Sequence, residues 1–473
     1  MITLFEQKNI ASILFFLFVL ALVLSSKLNI LNTPYYWDEI GWAKAAYWLS
    51  EGSLLRSIPG LHPPAAFWGH PSGLHLTLAS LFKLFGQSIW ISHLLILLFS
   101  FLGVYFTYLL ARFLYGSIVG IFSALFIFFS PIYFAQSGFF LADIPVAALG
   151  VASVYFAIRK SYVPYLICAI YMVMIKETGI AIVVSLLIYF FITEWMKFKR
   201  KSKEILILSV PLITIILFFI FQKIVTGKFC CIYPYGFELF KSQQEIIFNE
   251  AVSIAKWLFV YQYRYIFTIL IVLNFVLIKT SRYKRENLLF LLIFILSGFT
   301  FSFLYFLPRY LLPAVPYLYI MGAWSISELI KTKVLQVAVG TALVVFMINS
   351  LSGPPLYGTN EWNMKYLDVI KLHKDMAEFI QINYPTARIL AVFPNANQLN
   401  FQYLGYVKRP LNTISLSEGT LVGHNKNIDL ILISDPPGTH VGRLREYLER
   451  NELPLVKRIE NDNIISELYA NKF

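Results

Sequence analysis

The chain has 473 residues, of which 58% are hydrophobic and only 14% charged, with a mean hydropathy of +0.67. Soluble domains carry about a quarter charged residues, so this composition excludes an ordinary soluble enzyme and points to lipid as the solvent. The formal charge of +13 does not indicate nucleic acid, because residues 357–473 balance 13 basic against 13 acidic residues, leaving 26 basic and 13 acidic residues among the apolar runs of 1–356.

A bilayer core asks for roughly 20 apolar residues per helix, and such runs occur near 10–30, 88–112, 116–135, 141–158, 162–176, 178–196, 204–225, 256–278, 287–306, 309–329 and 333–350. The first follows one lysine without a clean small-residue cleavage site and reads as an uncleaved anchor. Between the first two spans, residues 31–87 form a long loop. It holds Trp37-Asp38-Glu39, an amphipathic stretch from Ile40 to Leu49, a turn-rich section through His62-Pro63-Pro64 and His70-Pro71, and a half-apolar stretch from Leu74 to Phe85. Both stretches suit helices lying in the membrane interface. A second loop, 226–255, carries the turn Tyr233-Pro234-Tyr235-Gly236. Of the three cysteines, Cys168 sits in an apolar run and Cys230 and Cys231 are adjacent, which makes no disulfide framework.

Beyond residue 356 the composition becomes that of a soluble protein. Glu361–Asn383 has helical spacing, Arg388–Phe393 and Ile428–Ser434 read as buried strands, Val441–Arg450 as a helix, and two short strands follow. The expected fold is therefore a multi-spanning α-helical membrane protein of about eleven transmembrane helices with a small C-terminal α/β domain. Its units are 1–356 and 357–473. No glycine-rich nucleotide fingerprint follows either buried strand, so no cofactor is assigned to the small domain.

If the spans alternate, Lys8, Arg112, Arg159 with Lys160, the 197–203 and 279–285 clusters, and Lys331 with Lys333 all fall on one side. That pattern predicts a multi-pass protein of the cell membrane with a cytoplasmic N-terminus and an external C-terminal domain. The opposite side then holds Asp38, Glu39, Asp143, Lys176, Glu177, Arg264 and Arg309. An ionisable group at membrane depth is expensive unless it serves a site. Carboxylates and cations meeting there suit a phosphate-bearing lipid. Structural readings stand beside this one. Asp38-Glu39 and Asp143 suit helix starts, Lys176-Glu177 an interfacial ion pair, and Arg309 a headgroup contact. Arg264, eight residues into its run, is harder to explain in that way. His62, His70 and His75 are candidate metal ligands, although loop histidines are more often solvated.

The order of motifs resembles the GT-C glycosyltransferases. The motifs are Trp37-Asp38-Glu39, His62-Pro63-Pro64, Gly69-His70-Pro71, Leu84-Phe85-Gly86, Ser130-Pro131, Asp143-Ile144-Pro145, Lys176 and Arg309-Tyr310-Leu311-Leu312-Pro313 with Pro316. The chain is most similar to the branch containing protein O-mannosyltransferases and the aminoarabinose transferase of lipid A, over roughly residues 10–350. It departs from that branch at His62, where a lysine or glutamate often precedes the double proline. The resemblance implies an inverting transfer of a sugar from a polyprenyl-phosphate donor to a lipid, glycan or protein hydroxyl on the non-cytoplasmic face. It implies Asp38 as general base, with Glu39 and Asp143 orienting the acceptor. Lys176, Arg264 and Arg309 would neutralise the departing phosphate, and Glu39 and Asp143 would alternatively hold a divalent cation; the histidine reading above adds His62 and His70 to Asp143 as candidate metal ligands. The rival classes are a secondary transporter, disfavoured by the lack of paired repeats, and a non-catalytic membrane scaffold, which leaves Arg264 and the loop acids without a purpose.

Overall fold

The computed structural model describes residues 2–61, 67, 70–194, 198–227, 244–278, 284–302, 306–353, 361–416, 428–436, 441–461 and 464–471. His62, the turn at 233–236, Cys230, Cys231 and the expected boundary at 356 fall outside these residues.

Apolar helices stand at the expected spans, although the run 256–278 is broken by a bend ahead of Arg264: α1 (Ile2–Lys27), then after the first loop α4 (Ile89–Tyr115), α5 (Ser117–Phe128), α7 (Asp143–Ile158), α8 (Tyr162–Ile175), α9 (Ile180–Glu194) and α10 (Phe198–Thr226). They continue as α12 (Arg264–Leu277), α13 (Lys284–Ser302), α14 (Val315–Leu329) and α15 (Lys333–Asn349). The loop itself contributes α2 (Glu39–Glu51) and α3 (Gly73–Phe85), which pack on each other. A short helix, α6 (Pro131–Gln136), begins at the proline that ends α5, and α11 (Gln244–Phe259) precedes α12.

Among the described residues, four helices are long and apolar enough to cross a membrane alone, and the α11–α12 pair, bent by 84°, makes a fifth candidate. The others run only 12 to 17 residues. At 1.5 Å per residue they span about 18 to 26 Å, less than the roughly 30 Å hydrocarbon core. In a membrane, charges at the ends of such helices are poorly hydrated and have to pair. Outward-facing Leu14, Leu17, Leu217, Ile220, Val272 and Val276 supply apolar surface for lipid, since large side chains of this kind are exposed on α1, α10 and α12.

Helix ends follow their punctuation. Gly116 takes φ +102° and donates its N–H to the Arg112 carbonyl, closing α4. Close packing of α4 on α5 and α7 fixes the centre of the bundle. A Cβ at Gly103 would stand 2.5 Å from the Tyr133 hydroxyl and 3.2 Å from the Ala148 Cβ, so any side chain there would displace Tyr133.

The C-terminal part contains α16 (Tyr366–Asn383), β1 (Ile389–Ala391), α17 (Asn395–Asn400), β2 (Thr413–Ser415), β3 (Leu430–Ser434), α18 (Val441–Arg450), β4 (Leu455–Asn461) and β5 (Ile464–Ala470). The sheet order is β2-β1-β3-β5-β4, with β1 parallel to β2 and β3 and the remaining pairs antiparallel. All five residues of β3 are buried, as its unbroken apolar run requires of a central strand. On one face α18 presses Leu444 and Leu448 onto Leu390, Ile431 and Ile433. On the other, α16 joins the sheet to the helical bundle. Tyr366 packs on Phe139 and Tyr36, Trp37 meets Phe393, and the Tyr35 N–H bonds the Leu404 carbonyl at 3.1 Å. One apolar core therefore runs from the bundle through the first loop into α16.

Candidate active site

Four chain segments bring charge to one point. Asp38 stands just before α2, Asp143 opens α7, Lys176 follows α8, and Arg309 lies in the 3-10 turn Pro308–Leu311 ahead of α14. Asp143 at a helix N-terminus and Lys176 at a helix C-terminus are both the sign that the peptide dipoles favour. Lys176 Nζ donates to Asp143 Oδ1 at 2.8 Å. The Arg309 guanidinium pairs with Asp38 through Nη2, stands with Nε 3.2 Å from Asp143 Oδ2, and pairs through Nη1 with Glu361. The Tyr310 ring underlies both cations, 3.9 Å from Lys176 Nζ and 5.5 Å from the Arg309 guanidinium carbon.

Three carboxylates thus face two cations. The side chains of Arg309, Asp143, Lys176 and Glu361 are 7% exposed or less, whereas Asp38 is 32% exposed. Asp38 is the acid an incoming molecule can reach. Burial pushes the Glu361 carboxyl up to about 7, against the pull of Arg309 and helped by Asp38.

Glu361 was outside the sequence expectation, which ended the site at the last span. The segment carrying it is clamped: Gln136 Nε2 donates to the Glu361 carbonyl at 3.1 Å and Gln262 Nε2 to the Trp362 carbonyl at 3.0 Å. An acid shortly after the last span was the available signal.

Other expected site residues lie elsewhere. Glu39 is turned away from Arg309. Its Oε2 accepts the Tyr36 N–H at 2.9 Å, and its Oε1 accepts the Phe140 N–H at 2.6 Å and meets His93 Nε2 at 2.7 Å. His93 Nδ1 in turn reaches the Leu31 carbonyl at 2.9 Å. Glu39 therefore ties the first loop to α4 and to the turn before α7. The alternative reading of Asp38 as a helix cap is not met: its side chain makes no capping bond, and its carboxylate is on Arg309.

Arg264, also fully buried, donates from Nη1 to the Trp257 carbonyl at 2.5 Å and from Nη2 to Gln262 Oε1 at 3.4 Å. It fills the bend between α11 and α12, where Gln262 and Tyr263 take φ +54° and +65°. Carbonyls at a helix end are natural partners for a cation. Glu177 pairs with His70 Nδ1 at 2.9 Å rather than with Lys176. Trp42 stacks on His75 at 4.4 Å, and burial holds that imidazole down at about 3.

The metal expectation finds little support in this donor set. Asp143 is engaged by two cations and His70 by a carboxylate. Among the described residues no group of three His, Cys, Asp or Glu side chains is placed to hold an ion.

Comparison with solved structures places the architecture. ArnT from Cupriavidus metallidurans bound to undecaprenyl phosphate superposes with a TM-score of 0.56, at 14% sequence identity and 98% coverage of each chain. The fold is that of ArnT, of the GT-C type. The apo state of ArnT gives 0.55 at 13% identity with the same coverage. The family model for dolichyl-phosphate-mannose-protein mannosyltransferases matches residues 62–221, about a third of the chain. That stretch contains Asp143 and Lys176, while Asp38, Arg264, Arg309 and Glu361 lie outside it. No curated protein sequence matches the chain. The GT-C resemblance read from the motifs is thus matched by a GT-C-type fold, and the small C-terminal sheet sits on a bundle of apolar helices as expected.

Proposed function

We propose that this protein is a membrane glycosyltransferase that moves a sugar from a polyprenyl-phosphate donor to an acceptor hydroxyl, with inversion, on the non-cytoplasmic face. The observation that carries the reading is the meeting of Asp38, Asp143, Lys176 and Arg309, from four separate segments, around one reachable carboxylate. The mannosyltransferase family match and the likeness to an ArnT structure bound to undecaprenyl phosphate support the donor class.

In this reading Asp38 takes the proton from the acceptor hydroxyl as its oxygen bonds to the anomeric carbon. The bond from that carbon to the phosphate oxygen breaks on the opposite side. Lys176 and Arg309, oriented by Asp143 between them, stabilise the charge that returns to the phosphate, which is the largest that develops. Both cations are buried on an aromatic ring, where each contact is stronger than in water. The helix ends support the non-cytoplasmic face for the site. Asp143 and Arg159 bracket α7, and Arg309 and Lys331 bracket α14, so the charge cluster and the basic loops stand at opposite ends of the bundle. By the positive-inside bias the basic end is cytoplasmic, with the N-terminus. The cluster and residues 357–473 are then external, as a donor carried across on a lipid requires.

Purified full-length protein offered a panel of polyprenyl-phosphate sugars should consume one of them. Asp38→Asn should lower that transfer by roughly a hundred- to ten-thousandfold, the scale of general-base catalysis, with membrane insertion unchanged. Undiminished transfer by Asp38→Asn removes the base assignment. Solute accumulation in vesicles without consumption of any lipid-linked sugar favours a transporter instead.

A further inference from the structure

Glu361 supplies a charge that the proposed chemistry does not use. Its side chain is 1% exposed, and its backbone is fixed by Gln136 on one side and by Gln262, through Trp362, on the other. Trp362 also packs on Trp257, with ring centroids 5.5 Å apart. The carboxylate is therefore held against Arg309 and has little freedom to turn toward solvent.

Its presence changes the balance of the cluster. Asp38 and Asp143 alone would match Lys176 and Arg309. At pH 8, above the value of about 7 to which burial pushes the Glu361 carboxyl, the ligand-free cluster carries one excess negative charge, and Arg309 meets a carboxylate at each of its three nitrogens.

The two lipids of the proposed reaction differ in charge. A polyprenyl-phosphate sugar is a phosphodiester with one negative charge. The polyprenyl phosphate left after transfer is a monoester whose second proton dissociates near pH 6, so it approaches two charges at neutral pH. A fixed carboxylate on the arginine that grips the phosphate opposes each of those charges, and thus opposes the product more than the donor.

Resting on the polyprenyl-phosphate reading above, we infer that Glu361 is a specificity-determining residue: it sets the cluster's preference for a singly charged phosphodiester over a doubly charged phosphomonoester, and so for donor over product. The timing is consistent with turnover. When Asp38 accepts the acceptor's proton, the cluster becomes neutral as the phosphate gains its charge. Once Asp38 releases that proton, the excess negative charge returns and the monoester is weakly held.

The test uses full-length protein in nanodiscs with two probes, undecaprenyl phosphate and its monomethyl ester, at pH 8. Wild-type protein should hold the ester more tightly. Glu361→Gln, which keeps the side chain's size, should tighten the ester by about fivefold and undecaprenyl phosphate by about twenty-five-fold, because the removed unit charge acts once on the former and twice on the latter. Retained ester binding reports that this variant is folded. Glu361→Asp, which keeps the charge, should keep the wild-type order of the two probes. An unchanged ratio in Glu361→Gln, equal weakening of both probes, or loss of the preference in Glu361→Asp overturns the inference and leaves Glu361 as a structural prop. If wild-type protein binds neither probe, the polyprenyl-phosphate reading itself fails, and this inference with it.

Discussion

Among the described residues two arginines are buried, and their surroundings differ completely. Arg309 meets carboxylates from three distant segments, Asp38, Asp143 and Glu361, while Arg264 meets the Trp257 carbonyl and the Gln262 amide. A guanidinium bonded to carbonyl oxygens at a helix end satisfies local backbone and holds a bend. One that gathers carboxylates from distant segments does no such local work and fits the anion-binding role proposed above. The two are connected, because Gln262, which Arg264 contacts, fixes the Trp362 carbonyl and hence the segment that delivers Glu361. Burial alone therefore does not mark a binding residue; the chemistry and the sequence distance of its partners do.

The comparison can be broken most severely at Arg309. Replacing it with Met should abolish transfer and destabilise the fold by about 3–5 kcal/mol, since Asp143 and Glu361 would be left buried with too few cations; activity and the heat-induced aggregation midpoint in detergent read the two effects. Asp143→Asn should lower transfer about a hundredfold, through loss of the carboxylate that holds Lys176 and Arg309 side by side, and should lower stability by about 3 kcal/mol because the buried Lys176 loses its partner. Arg264→Gln sharpens the contrast from the other side. It should lower stability by about 1–3 kcal/mol while kcat per folded molecule stays near wild type. The smallest change is expected for Glu39→Gln, which keeps the oxygen acceptors for Tyr36 and Phe140 but loses its charge toward His93. A stability loss of about 1 kcal/mol with unchanged kcat is the predicted result, and a collapse of kcat would return Glu39 to the chemistry.

Much of this was legible in the sequence, for a physical reason. Apolar runs are the signal for helices in lipid, so α1, α4 and α7 to α10 stand close to where the runs lie. Asp38, Asp143, Lys176 and Arg309 stood out because a charge at membrane depth is rare. Glu39 was misplaced because adjacent residues at a helix start point about 100° apart, and spacing does not say which faces the cation. Arg264 was misplaced because the bend at Gln262 and Tyr263 leaves no mark in hydropathy. Glu361 was missed for the opposite reason to Arg309: it lies in polar sequence, where one more acid is unremarked. The three-residue strand β2 and the short α17 are too brief to show any period.

In the proposed reading the Arg309 cluster grips a lipid-linked phosphate and Arg264 does not. Phosphorus NMR of undecaprenyl phosphate titrated with full-length protein tests it directly, comparing wild type, Arg309→Gln and Arg264→Gln. A shifted, saturable resonance with wild type and Arg264→Gln, absent with Arg309→Gln, is the predicted result. Binding that survives in Arg309→Gln, or that is lost only in Arg264→Gln, would contradict the account.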